Sequence, residues 1–119
     1  MKRVLILAAL MALPAALAHA EGDAAHGQEL YESRCIACHS PDANRVGPMH
    51  RGVFGRKAGS LPGYTYSKAL KGTNFVWNDE TLNQWLTNPQ AFVPGQKMNF
   101  KVAKAEDRAD LIAYLKTLQ

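Results

Sequence analysis

The sequence predicts an all-α domain with helices at its two ends and long irregular loops between them. Three observations predict it. Apolar residues recur at helical spacing near both ends. Glycine and proline crowd the middle, from Gly47 to Gly72 and again from Pro89 to Gly95. No convincing run alternates apolar and polar residues as a half-buried strand would. Loops of that length in a small domain usually need something to wrap around.

The first segment, MKRVLILAALMALPAALAHA, is not part of that domain. Lys2 and Arg3 form a basic start, Val4 to Leu17 is apolar apart from Pro14, and Ala18-His19-Ala20 supplies small residues for a signal peptidase. Residues 1–20 read as a secretory signal peptide and 21–119 as the folded domain. The apolar run is short, ends in small residues and lacks a basic stop-transfer cluster, which argues against a retained membrane anchor. Removing Lys2 and Arg3 lowers the formal net charge from +4 by two, and no basic run is dense enough for nucleic acid. The expected product is a soluble monomer in the periplasm, where two cysteines meet an oxidising environment.

In the domain, Asp23 caps a first helix expected to run to about Ile36, with Gly27, Leu30, Tyr31 and Cys35 on one face. A weak helical turn covers Ser67 to Lys71. NDETLNQWLTN reads as a short helix capped by Asn78 and stopped before Pro89. In EDRADLIAYLKTLQ, Leu111, Tyr114, Leu115 and Leu118 form a stripe. Glu106 and Asp107 begin this helix and Lys116 ends it, which suits the helix dipole.

The chemistry lies in Cys35-Ile36-Ala37-Cys38-His39, which holds the only two cysteines. A redox dithiol belongs at a helix start after a strand, and no strand precedes this one. Zinc would have three ligands here at a spacing unlike the usual fingers. A disulfide is the simple reading. Covalent haem explains all three residues at once: two sulfurs on one side of a helical turn form thioethers, and His39 gives its imidazole to the iron. A second axial ligand is then sought. Met49 and His50 follow His39 too closely to reach the opposite face readily, and His26 sits in the first helix. Met98, in the loop VPGQKMNF, is the favoured candidate against the simpler reading of methionine as core filler. His/Met ligation implies a fairly high reduction potential.

The stretches GDAAHGQELYESRCIACH, VGP, GVFGRKAGSLPGYTYSKAL, Trp77, TLNQWLTNP, VPGQKMNF and DRADLIAYLKTL follow one another in an order that resembles the class I c-type cytochromes. These are the small soluble proteins related to mitochondrial cytochrome c. The resemblance implies the cytochrome c fold, in which the end helices cross beside one covalently bound haem c and loops enclose the rest. It implies thioethers at Cys35 and Cys38 and axial ligands at His39 and Met98. The Pro48 carbonyl would accept the other N–H of His39. Tyr66 and Trp77 would donate hydrogen bonds to a buried propionate, and Arg56 would offset its charge. Gly27 would let the last helix approach, with Tyr31 packing near Leu111 and Tyr114.

Four positions depart from the mitochondrial pattern. Trp85 replaces a tyrosine near the methionine sulfur, and Leu70 an asparagine that helps hold a buried water. Gln96 replaces a threonine that often contacts a propionate, and His50 a leucine that packs on the haem. The removal of polar groups by Leu70 is expected to raise the potential.

The expected job is one-electron transfer between redox proteins, without substrate turnover. Lys57, Lys97, Lys101 and Lys104 are candidates for a basic rim that docks acidic partners transiently. Two other readings stay open on the sequence. One is a haem protein with a labile sixth site, peroxidase-like or gas-binding. The other is a haem-free periplasmic dithiol or disulfide protein.

Overall fold

The computed structural model describes residues 21–119, so the expected signal peptide lies outside the described residues. The described residues form five helices: α1 (Ala24–Arg34), α2 (Lys68–Lys71), α3 (Asp79–Thr87), α4 (Pro89–Phe92) and α5 (Ala105–Thr117). Among the described residues no strand forms, and one isolated antiparallel bridge joins Lys57 to Val76.

Four of the five helices start at a side-chain cap, and α5 begins at Lys104 without one. The Asp23 carboxylate accepts from the N–H groups of Ala25 and His26, and Ser67 accepts from Leu70. Asn78 and Thr81 satisfy each other's backbone in a capping box. Helix α4 adds to the expected elements. Asn88 ends α3, then caps the next turn through the N–H of Ala91, with Pro89 at the first helical position. The signal was already present in Asn-Pro, since the proline that stops one helix is well suited to begin another. Helix α1 stops at Arg34, two residues earlier than the sequence suggested.

The packing of α1 against α5 is the main contact between elements. Leu30 and Tyr31 meet Leu111, Leu115 and Leu118 in one buried cluster, and the Tyr31 and Tyr114 rings lie 5.2 Å apart. Gly27 makes this approach possible: a Cβ there would overlap the Asp110 carbonyl. At one end of this contact, Arg34 reaches the largely buried Asp107 at 3.1 Å. At the other, Asp110 accepts from the Asp23 N–H at 2.7 Å and pairs with His26 at 2.6 Å. Helix α3 joins α5 through Asp79 and Lys116 at 2.6 Å and through Asn83 and Arg108 at 2.8 Å. The helices thus form a frame, and the loops carrying His39 and Met98 close over one side of it.

Candidate functional site

A cavity of about 420 Å³ opens between the frame and the loops. This is within the usual range for a buried small-molecule or cofactor site. Cys35, Cys38, His39, Pro48, Arg56, Tyr66, Trp77 and Met98, separated by long stretches of sequence, all line it. Its walls are mostly apolar, with Leu70, Leu82, Leu86, Leu111 and Leu115 among them.

The cysteines lie in turns that follow α1. The Cys35 N–H continues the helix by donating to Tyr31 O at 2.8 Å. Cys38 and His39 then both donate to the Cys35 carbonyl, at 3.1 and 2.9 Å. The motif is therefore a tight coil that keeps its three side chains at the cavity wall. Both thiols are free, Cys35 half-buried and Cys38 exposed. Burial pushes the Cys35 thiol up to about 11. The Cys35 sulfur therefore forms a thiolate less readily than an ordinary cysteine.

The next loop fixes His39. The Gly47 N–H donates to Cys38 O at 2.8 Å, folding the loop back onto the motif. A Cβ on Gly47 would overlap the His39 ring, so glycine is what lets the loop lie against it. His39 Nδ1 sits 3.2 Å from the Pro48 carbonyl. A carbonyl only accepts, so Nδ1 carries the proton and Nε2 keeps its lone pair. Burial lowers the His39 pKa, partly opposed by the bond to Pro48. A neutral imidazole with a fixed tautomer is the form that ligates a metal.

His50 turns inward. Its ring stacks on that of His39, with centroids 4.0 Å apart and planes 18° apart. Its Nδ1 lies 2.9 Å from the Tyr31 hydroxyl. Burial holds its pKa well below the ordinary value, helped by His39 and Arg56.

The Met98 loop begins at a turn. Val93 O accepts from the Gln96 N–H at 3.1 Å, and Gly95, at φ +91°, takes the left-handed position that glycine tolerates after proline. The chain then bends so that the buried Gln96 side chain faces the Met98 backbone. Its Nε2 donates to Met98 O at 2.8 Å, and its Oε1 accepts the Met98 N–H. Gln96 thus replaces the threonine of the mitochondrial pattern with a group that holds the following loop. Trp85 also lines the cavity and packs edge-on against Trp77, at 5.3 Å between ring centroids.

Arg56, Tyr66 and Trp77 meet at the same cavity. Arg56 donates through Nη2 to Met49 O at 2.9 Å and through Nη1 to Arg51 O at 3.4 Å. Its Nε is buried without a partner among the described residues. Tyr66 accepts the Leu61 N–H at 3.1 Å, which leaves its own O–H to donate. A buried, unpartnered N–H is costly, most of all on a charged group. A carboxylate belonging to a bound molecule would satisfy it. The residues present therefore fit a flat apolar cofactor that has acidic substituents, joins to two thiols and carries a metal for His39.

Of the four candidate rim lysines, Lys97 lines the cavity mouth and Lys101 lines a small neighbouring hollow beside Met98. Lys57 and Lys104 are exposed but are not among the residues lining the cavity. Sequence reasoning did not find the hydrogen bond between Tyr31 and His50 or the hold of Gln96 on Met98. Both arise between side chains whose meeting depends on the packed loops.

The family profile described as cytochrome c matches residues 24–119. The cytochrome c of Euglena viridis is 52% identical over 101 residues, covering 82% of this chain and 99% of that protein. The cytochrome c of Gibberella zeae is 46% identical over 101 residues, covering 82% of this chain and 95% of its own. Among solved structures, cytochrome cH from Methylobacterium extorquens superposes with a TM-score of 0.77 at 45% identity. That match covers 81% of this chain and 99% of the other.

Proposed function

The chain belongs to the cytochrome c family, and on that premise we propose that it is a periplasmic one-electron carrier with His39 and Met98 as axial ligands. Its fold is the all-α cytochrome c fold, and its cofactor is one c-type haem bound through the cysteine pair. The observation that carries the ligand assignment is the His39 tautomer. Nδ1–H is committed to the Pro48 carbonyl, which leaves Nε2 to coordinate, in a cavity that Met98 also lines.

When bound, the haem supplies the one-electron iron couple. The chain's own residues set its conditions. Cys35 and Cys38 fix it covalently, and Pro48 keeps His39 basic and oriented. Gln96 holds the Met98 loop. Arg56, with Tyr66 and Trp77, would receive a buried propionate, and the leucine walls would exclude water. With His39 and Met98 both holding the iron, the haem would offer no open position to a substrate, and the protein would pass electrons without turnover.

Electron donor and acceptor proteins dock transiently at the cavity mouth. Lys97 lines that cavity and Lys101 the small hollow beside Met98, and exposed Lys57 and Lys104 would complete the basic rim. The mature protein, residues 21–119, is a monomer exported by the signal peptide at residues 1–20. Among the described residues no helix is long and apolar enough to cross a membrane.

The test is the absorption spectrum of the exported protein, oxidised, then reduced, then with carbon monoxide. A c-type reduced spectrum, a long-wavelength sulfur-to-iron band in the ferric form and indifference to carbon monoxide are expected. A ready response to carbon monoxide would replace this reading with an open or labile sixth site. Folded protein without haem in the periplasmic fraction would return the cysteines to disulfide chemistry.

A further inference from the structure

The carbonyl of Pro48 constrains the His39 ring at one atom, Nδ1, at 3.2 Å. Hydrogen bonds to a carbonyl tolerate a broad range of directions. That bond, the tether of the ring to its own backbone and the Gly47 backbone beside it limit the rotation of the ring without fixing its plane. A further restraint acts on the face of the ring, where His50 lies 4.0 Å away and 18° from parallel.

His50 is itself held. Tyr31 is only 2% exposed, and its hydroxyl meets His50 Nδ1 at 2.9 Å. A buried hydroxyl hydrogen needs an acceptor. Tyr31 therefore donates to Nδ1, and His50 is the neutral tautomer with its proton on Nε2. Tyr31 is fixed in turn by α5, where it packs on Tyr114 and Leu111. A chain of contacts thus runs from the contact between α1 and α5 to the plane of the His39 ring. A leucine at position 50, as in the mitochondrial pattern, would press on the ring but would have no hydrogen bond to fix its own orientation.

We propose that His50 is a positioning residue for His39, and that Tyr31 and His50 together set the rotation of the His39 ring plane. This rests on the reading of His39 as an iron ligand. The ring plane of an axial histidine shapes how unpaired electron density spreads over the porphyrin. It is visible in the pattern of paramagnetically shifted haem methyl resonances of the ferric protein.

The experiment compares that pattern in the wild-type holoprotein, His50→Leu, Tyr31→Phe and the double variant. Each single variant is expected to change the order or spread of the methyl resonances while the sulfur-to-iron band is retained. The change in Tyr31→Phe is expected to be the smaller. In the His50→Leu background, Tyr31→Phe is expected to add nothing, because its effect acts through His50. Unchanged methyl patterns in both single variants would overturn the proposal, as would effects that simply add. If the variants fail to take up haem, nitrogen NMR of the reduced wild-type holoprotein decides. A protonated Nε2 and bare Nδ1 on His50 support the clamp, and a proton on Nδ1 or exchange between tautomers overturns it. Failure of the ligand reading is distinguishable, because the wild-type protein would then lack hyperfine-shifted His39 ring resonances.

Discussion

Gln96 holds the Met98 backbone from both sides, donating to its carbonyl at 2.8 Å and accepting its N–H. Gln96 is buried, while Met98 is only half-buried and lies in a loop without helical support. A thioether is a weak ligand, so its retention depends on how firmly the loop presents it. Gln96→Ala removes both hydrogen bonds to Met98 at a buried position, each worth about 1 kcal/mol net, together with the contact to Gln90 at 3.3 Å. Added imidazole is expected to displace Met98 from the ferric protein on the order of tenfold more tightly than in wild type. Titration followed at the sulfur-to-iron band measures this. An unchanged affinity would mean that the loop is held by its turn at Gly95 alone.

The close approach at Gly27 gives a second prediction. The atom that an added Cβ would meet is the backbone carbonyl of Asp110, which cannot swing aside as a flexible side chain could. Gly27→Ala therefore has to separate α1 from α5. Although alanine favours helix by about 1 kcal/mol over glycine, overpacking at a rigid contact commonly costs about 1–3 kcal/mol and sometimes more. The overlap is with rigid backbone, so a net loss of stability is expected. The check is urea unfolding of the holoprotein, and a midpoint at or above wild type would contradict the packing argument.

Much of this was legible in the sequence because it was local. The caps at Asp23 and Asn78, the α5 stripe and the motif from Cys35 to His39 each lie within a few residues. Helix α4 was missed because Pro89 was read only as a stop. The C-terminal end of α1 differs because Cys35 sits at a C-cap, where a periodic pattern carries little boundary information. The site was harder. Its cofactor motif was plain, and the second ligand candidate followed from elimination and loop context. The roles of Pro48, Arg56, Tyr66 and Trp77 came only with the family resemblance. The fate of His50 was open because its partners, Tyr31 and His39, lie on two different segments. Nothing in their spacing says that the rings will meet.

Leu70 is buried in the cavity wall where the mitochondrial pattern has an asparagine. An amide there would bring a dipole, and room for water, close to the iron. Polar groups favour the more charged ferric state, so Leu70→Asn is expected to lower the reduction potential. Redox titration of the two holoproteins measures the difference. A potential equal to or above wild type would mean that leucine acts only as packing.

The contact between α1 and α5 is also expected to respond to pH through His26 and Asp110. The hydrogen bond to the Asp110 carboxylate raises the His26 pKa above 6.5, with Asp107 and Glu29 contributing less. The same bond, with the Asp23 N–H, holds Asp110 below 3.8. A raised histidine stabilises fully below its unfolded value, and that contribution is lost as pH rises through the folded value. A lowered carboxylate stabilises above its unfolded value and loses that contribution as pH falls. The pair therefore acts in a window from above 3.8 to the raised His26 pKa. Both groups are solvent-accessible enough that the effect will be small and screened by salt. The expected result is that His26→Gln is less stable than wild type between about pH 5 and pH 6, and that the difference shrinks toward pH 8. Urea midpoints of both holoproteins across that range provide the check. A difference independent of pH would assign the role of His26 to packing and leave Asp110 acting only through the Asp23 N–H.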